Sequence, residues 1–244
     1  MTYTGPGPGL PAPEGFQRVA REGKAAKAAR AAAILTALGE AMPDARIELD
    51  HRTPYELLVA VILSAQCTDK RVNGVTPALF RRFPDAAALA AADEAEVRPF
   101  IQSLGLYRAK AKNLVAAAQA LVAGHGGEVP TARSALALLP GVGNKTAGVV
   151  SMHIGGDVAF PVDTHVKRLA VRMGLTSAEA PDKVEADLQA LLPPERWVLG
   201  HQLLVWHGRR TCFARAPACE RCPVAALCPK RGVATTRAAA RARP

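Results

Sequence analysis

No run in this sequence approaches the ~20 consecutive apolar residues that a bilayer-spanning helix needs. Residues 1–15, rich in glycine and proline, have no apolar core of the kind a secretion signal carries. These absences predict a soluble, cytoplasmic protein with no spanning helix and no membrane contact. Apolar and polar residues nowhere alternate with a period of two, which excludes a fold built on half-buried strands. Aromatic residues are sparse, at 5%. Acidic residues are outnumbered, 21 against 31 Lys and Arg, giving a net charge of +10. A surplus of that size favours a polyanionic partner, nucleic acid before an anionic membrane. Cysteine is scarce too, and four of the five (Cys212, Cys219, Cys222, Cys228) crowd together near the C-terminus. That spacing reads as metal ligation in a reducing compartment rather than a disulfide framework.

What remains is plentiful apolar material. Hydrophobic residues make up 49% of 244, enough to bury a core in one large domain or two intimate small ones. Residues 1–23 hold four prolines and four glycines in the first 22 positions and read as a flexible tail. An Ala-rich helix is expected from Lys24 to Met42. Residues 54–65 are apolar on every face after the first turn, which a helix tolerates only when surrounded by protein, and Pro54 suits its first turn. Glycines and prolines then punctuate Ala/Leu/Val-rich segments, so the expected class is all-α, built from about ten short helices. The basic end, residues 230–244, carries Lys230, Arg231, Arg237, Arg241 and Arg243 and no acid. It reads as a solvated flexible tail, with non-specific phosphate contact as the sharper alternative.

Between two helical runs, residues 131–138 and 145–153, lies Leu139-Pro140-Gly141-Val142-Gly143-Asn144-Lys145-Thr146-Ala147. Two glycines around one apolar residue, with proline pre-setting the turn, predict a tight hairpin between helices. The first amides of the second helix are then free and positive, a place for a phosphate; an ordinary helix–helix corner fits the glycines as well. Lys145 falls in the first turn of that helix, where the macrodipole disfavours a cation. Burial there would favour a neutral amine, as a lysine nucleophile requires, whereas a charged phosphate-binding lysine is the equal alternative. Asp163, in Val162-Asp163-Thr164-His165, suits an N-cap at Thr164 and also a carboxylate that takes a proton or steadies a developing cation. His165 reads as a packed, hydrogen-bonded residue.

The cysteine pattern C-x6-C-x2-C-x5-C can hold zinc or a 4Fe-4S cube. With one close pair, Cys219 and Cys222, rather than two, iron–sulfur is favoured. Arg215 lies inside the first spacing and Arg209 and Arg210 precede it, a basic flank that would let the cluster shape a phosphate-binding loop. Cys67 reads as a small buried hydrophobe.

The hairpin, the Val-Asp-Thr-His segment and the cysteine tail together resemble those of the endonuclease III family in the helix-hairpin-helix DNA glycosylase superfamily, over about residues 24–229. The resemblance implies a six-helix barrel domain holding the hairpin, residues 47–157, and a cluster domain formed by residues 24–46 and 158–229, with a DNA cleft between them. It implies that Cys212, Cys219, Cys222 and Cys228 hold a 4Fe-4S cluster, that Lys145 is the Schiff-base lysine and that Asp163 is the catalytic aspartate. Gln66, in Ser64-Ala65-Gln66-Cys67-Thr68-Asp69, matches the glutamine that enters the duplex. Leu106, in Gly105-Leu106-Tyr107, matches an intercalating wedge. Without the resemblance, Gln66 reads as a polar helix end and Leu106 as core. Leu139, Gly141, Val142, Gly143 and Thr146 are implied to contact the DNA backbone, and Arg215 to assist.

The implied activity is that of a monomeric bifunctional glycosylase and AP lyase acting on double-stranded DNA that contains an oxidised pyrimidine or an abasic site. Asn144 departs from an arginine common in the family, and Ala216 and Ala218 from basic residues, which weakens local phosphate contacts. Two other readings compete. An adenine-mismatch glycosylase shares hairpin and cluster but typically lacks a lysine at 145 and has an acid near Val61. A non-catalytic damage-binding module would share the hairpin and the charge, and only Lys145 with Asp163 sets it apart.

Overall fold

The computed structural model describes residues 22–233, and the tails at 1–21 and 234–244 lie outside the described residues. The described chain is all-helical, as the missing strand pattern required. Eleven α-helices run in order: α1 (Lys24–Ala41), α2 (Pro54–Ser64), α3 (Asp69–Arg82), α4 (Ala86–Ala90), α5 (Glu94–Ile101), α6 (Tyr107–His125), α7 (Arg133–Leu136), α8 (Asn144–His153), α9 (Thr164–Arg172), α10 (Pro181–Leu191) and α11 (Trp197–Arg210). No described helix is long and apolar enough to cross a membrane.

α2 is the central helix that its composition demands. The Thr53 hydroxyl accepts from the Glu56 amide at 3.1 Å, Pro54 opens the first turn, and Tyr55 and every residue from Leu57 to Leu63 are buried. Each such aliphatic side chain contributes about 1.5–3 kcal/mol by leaving water. α3, α6 and α8 pack against it. One hydrophobic core runs from Leu49 through Val150 on α2 to α8. A second is made by α1 with α9, α10, α11 and Val224 near the cysteines. The chain therefore leaves the second core after α1, builds the first, and returns.

Cross-ties join the two cores. The Arg133 guanidinium on α7 grips Glu185 on α10 with two bonds, at 2.8 and 3.1 Å. Arg209 on α11 pairs with Asp69 at 2.6 Å and with Glu48, Arg210 reaches Glu48 at 2.6 Å, and the Trp206 indole donates to the Arg46 carbonyl at 2.7 Å. Arg209 and Arg210 are thus committed to internal ion pairs, a correction to their reading as the flank of a phosphate loop. The basic C-terminal segment also begins as fixed structure: the Arg231 amide donates to the Arg172 carbonyl at 3.0 Å.

Candidate active site

The hairpin forms as predicted, with a shorter first arm: α7 covers only Arg133–Leu136. Gly141 has φ +77°, and a Cβ there would stand 2.7 Å from the Asn113 Cβ, so glycine is required twice over. Gly143 differs. It is extended (φ −82°, ψ 172°), serves as the N-cap of α8, and has open space where its side chain would be. The amides of Gly143, Asn144 and Lys145 make no main-chain hydrogen bond, as the start of a helix dictates. The Leu139 and Val142 side chains are each 4% exposed and sit in the core, so the main chain is what those residues present. Asn144 does not face outward unpartnered: its Oδ1 accepts from Arg133 Nε at 3.1 Å, tying the hairpin to the Arg133–Glu185 pair.

Lys145, the second residue of α8, is exposed rather than buried, which corrects the expectation of a buried amine. It lines a cavity of about 280 Å³ between the two cores, together with Thr146 and Asp163. Asp163 caps α9 as anticipated. Its Oδ1 accepts from the Val166 amide at 2.8 Å, which holds the carboxylate rigidly at the cavity wall. Gln66 is on the same cavity's rim, exposed, at φ 56°. Leu106 is not core: it is 59% exposed, at φ 59°, and caps α6. Two non-glycine residues in the left-handed region mark two sharp, projecting turns, each bearing a strain cost of order 1 kcal/mol.

The wall opposite α8 comes from α11, which sequence reasoning passed over. His201, Gln202, Val205, Trp206 and Arg209 line the cavity, as does His153 of α8. The signal was faint, because histidines at 201 and 207 in an amphipathic helix have no motif around them. His201 is 7% exposed and its Nδ1 lies 2.8 Å from the Pro161 carbonyl. Burial pushes it down to about 4, against the pull of the Asp163 carboxylate. The neutral ring then donates from Nδ1 and carries its lone pair on Nε2. His153 Nε2 stands 2.9 Å from the Gln202 side-chain nitrogen, and burial lowers it as well. Glycines let α11 approach its neighbours: a Cβ at Gly208 would meet His165 at 2.9 Å, and one at Gly200 would meet Leu35 at 3.0 Å. His165 is packed as read, with Nδ1 3.1 Å from Arg168. Val61 lines the cavity as an apolar residue where an adenine-mismatch enzyme would carry its acid.

The four C-terminal cysteines converge on one enclosed cavity of about 20 Å³, shared with Met173, His207, Val224 and Ala225. Among the described residues no three Cys, His, Asp or Glu side chains crowd closely enough for one metal ion. Four thiols can hold either zinc or an iron–sulfur cluster, and four that share a space without crowding on one ion suit the multi-iron cluster. Burial, reinforced by the neighbouring thiols, pushes Cys222 and Cys228 up, so thiolates there need the positive charge of bound iron. Cationic and amide donors already surround the sulfurs: Arg172 lies 3.4 Å from Cys212 Sγ, and the Lys230 amide 3.4 Å from Cys228 Sγ. Arg215 is exposed on the loop between Cys212 and Cys219.

A helical cleft with a hairpin amide nest, a lysine and a capping carboxylate in one cavity, and a thiol cluster behind it, defines the helix-hairpin-helix class of base-excision DNA repair glycosylases. Residues 59–194 match the HhH-GPD superfamily of base excision DNA repair proteins, and residues 212–228 match the iron-sulfur binding domain of endonuclease III. Endonuclease III of Synechocystis is 50% identical over 206 residues, 84% of this chain and 94% of its own, and that of Escherichia coli K12 is 41% identical over 80% of this chain and 92% of its own. The solved structure of a trapped endonuclease III–DNA covalent intermediate superposes with a TM-score of 0.79 at 40% identity, covering 83% of this chain and 96% of that one. The chain belongs to the endonuclease III family, DNA glycosylases of base excision repair that carry AP lyase activity and a 4Fe-4S cluster.

Proposed function

We propose that this chain acts as a monomer on cytoplasmic duplex DNA, removes oxidised pyrimidines through a covalent intermediate on Lys145, and cleaves the abasic strand by β-elimination. The observation that carries the reading is that Lys145, Asp163 and Gln66 border one cavity reachable from the cleft. A pyrimidine must leave the stack before any side chain reaches C1′ of its sugar, at a cost of a few kcal/mol that is least at a damaged pair. Gln66 and Leu106, on their projecting turns, are placed to fill the vacancy. The cavity then takes the base, and an exposed amine on a helix terminus meets a substrate that comes from outside.

Lys145 Nζ attacks C1′ as the base departs. The proton released on forming the C–N bond passes to the Asp163 carboxylate, whose Oδ2 is free of the cap bond. The nitrogen lone pair then breaks the C1′–O4′ bond, O4′ takes the proton back from Asp163, and the ring-opened sugar is a protonated imine on Nζ. Loss of a 2′ proton to water breaks the C3′–O bond, and the 3′ phosphate leaves with that electron pair. His201, neutral, adds a fixed acceptor to the wall without competing for positive charge. The amides of Gly143 to Lys145 bind a backbone phosphate, which positions the strand without reading its sequence. Leu139, Gly141 and Val142 shape that nest through the main chain, Thr146 follows it in the first turn of α8, and Arg215, exposed on the cysteine loop, is a separate phosphate contact. The cluster shapes the loop around Arg215. That a relative was trapped as a covalent DNA intermediate supports the lysine route.

Duplexes containing thymine glycol, dihydrouracil or an abasic site test the proposal. Base release followed by strand scission on all three is expected. Tight binding with no scission of the abasic duplex would overturn it in favour of a damage-binding module.

A further inference from the structure

Cys67 belongs neither to the cluster nor to the cleft wall. The turn after α2 brings its Sγ to 3.1 Å from Lys110 Nζ on α6. Lys110 is 4% exposed, packed among the apolar residues of the first core. A lysine so deeply placed ordinarily has an oxygen partner. Here, among the described residues, the thiol sulfur is the one hydrogen-bond partner of that ammonium, and no carboxylate pairs with it. The other side of Cys67 is open: it lines a recess of about 650 Å³ with Thr68, Asp69, Lys70 and His165. A small oxidant reaches the sulfur from solvent while a buried amine waits on the protein side.

We propose that Cys67 and Lys110 form a peroxide-responsive modification site in which oxidation joins Sγ to Nζ. The thiol sulfur attacks a peroxide oxygen; the O–O bond breaks, leaving a sulfenic acid and releasing one water from hydrogen peroxide. The ammonium gives one proton to solvent, and the nitrogen lone pair attacks sulfur. The S–O bond breaks, and the departing hydroxide takes the second amine proton as water. The product is a sulfenamide, in which sulfur is oxidised by two electrons and peroxide is reduced by two. A thiol reductant returns both side chains to their starting state.

The placement gives the bond a consequence. Gln66 immediately precedes Cys67, and Leu106 lies one helical turn before Lys110, its carbonyl accepting the Lys110 amide at 3.0 Å. Sulfur–nitrogen linkage ties the two projecting turns, at φ 56° and 59°, into one covalent unit and draws them together by the difference between a contact and a bond. That effect on DNA rests on the proposed duplex invasion, whereas the linkage itself does not.

The test treats the full-length, cluster-loaded protein with near-stoichiometric hydrogen peroxide, digests it without reductant and maps peptides by mass spectrometry, with the cluster's visible absorbance followed throughout. Expected is a species joining the Cys67 and Lys110 peptides, lighter than their sum by two hydrogens, reversed by dithiothreitol and absent from Cys67→Ala and Lys110→Met. An unmodified Cys67 would overturn the proposal. So would a sulfenic acid that dimedone captures in full, or over-oxidation without linkage. The wild-type result stands even where a variant folds poorly. In a second arm, affinity for a duplex with a stable abasic analogue is compared before and after oxidation. A several-fold fall, restored by reductant and absent in Cys67→Ala, is expected. Linkage without any change in affinity would refute the coupling of the two turns, and strand scission by the reduced protein reports separately on the proposed function.

Discussion

The cleft cavity and the thiol cavity each gather reactive side chains, and they are opposites. The cleft cavity, about 280 Å³, mixes charged and polar groups such as Lys145, Asp163 and His201 with apolar ones such as Val61 and Val205, and is open to a substrate that arrives from outside. The thiol cavity, about 20 Å³, is a small space among the four cysteines, with Met173, Val224 and Ala225 packed around it. The difference teaches where chemistry and architecture divide: Lys145 can be exposed and dispensable to folding, whereas the cysteines anchor the end of α11 and the loop that follows. Substitutions in the first should change reaction rates with little effect on stability, and substitutions in the second should do the reverse.

Lys145→Met is the strongest probe of that division. Strand scission of abasic DNA is expected to fall about a thousandfold or more, with melting temperature and binding to an abasic analogue nearly unchanged. A folding defect would erase the contrast. Cys222→Ser is its counterpart. Loss of a cluster ligand should bleach the sulfur-to-iron absorbance and lower stability by about 3 kcal/mol or more, read from the urea midpoint. A fully stable, colourless variant would deny the staple role.

His201 offers a pH test inside the cleft. The folded ring titrates near 4 and the unfolded one near 6.5, its burial disfavouring the charged form. The unfolded chain therefore takes up the proton first. The stabilisation is complete above pH 6.5 and is lost as pH falls through about 4, at up to ~1.4 kcal/mol per pH unit. His201→Asn should flatten the acid side of the stability profile, and an unchanged slope would show that the ring is not held neutral. Asp163→Asn separates two duties of one residue. Asparagine caps as well as aspartate, so stability should hold within ~0.5 kcal/mol while turnover falls about a hundredfold. Asp163→Ala should lose the cap as well, about 1 kcal/mol. Leu106→Ala is the mildest: its side chain is largely in solvent, so stability should move by less than ~0.5 kcal/mol. Affinity for damaged duplex should weaken roughly fivefold, about 1 kcal/mol, measured by fluorescence anisotropy.

Much of this is legible in the amino-acid sequence alone. The all-α class followed from the absence of alternation, α2 from an apolar run too uniform for a surface helix, and the cap at Asp163 from one acid before Thr164. Other features are products of packing that no local pattern announces. Leu106 reads as core in the sequence because leucine usually is; only its left-handed turn turns it outward. Gly143 reads as conformationally required, yet its backbone is extended and its role is open space. Arg209 and Arg210 look like phosphate ligands until Glu48 and Asp69, some 140 to 160 positions away in sequence, claim them. The α11 wall, with His201 and Trp206, comes into the cleft only when the second core closes. Neither it nor the contact between Cys67 and Lys110 has a sequence signature.

Catalysis by this fold turns on which amine meets the sugar. Borohydride reduction of the wild-type protein on an abasic duplex, followed by peptide mapping of the trapped adduct, answers that directly. The predicted result is a single DNA-modified peptide containing Lys145. An adduct mapped to another lysine or to the N-terminal amine, or no adduct under conditions where the protein is bound, would contradict it.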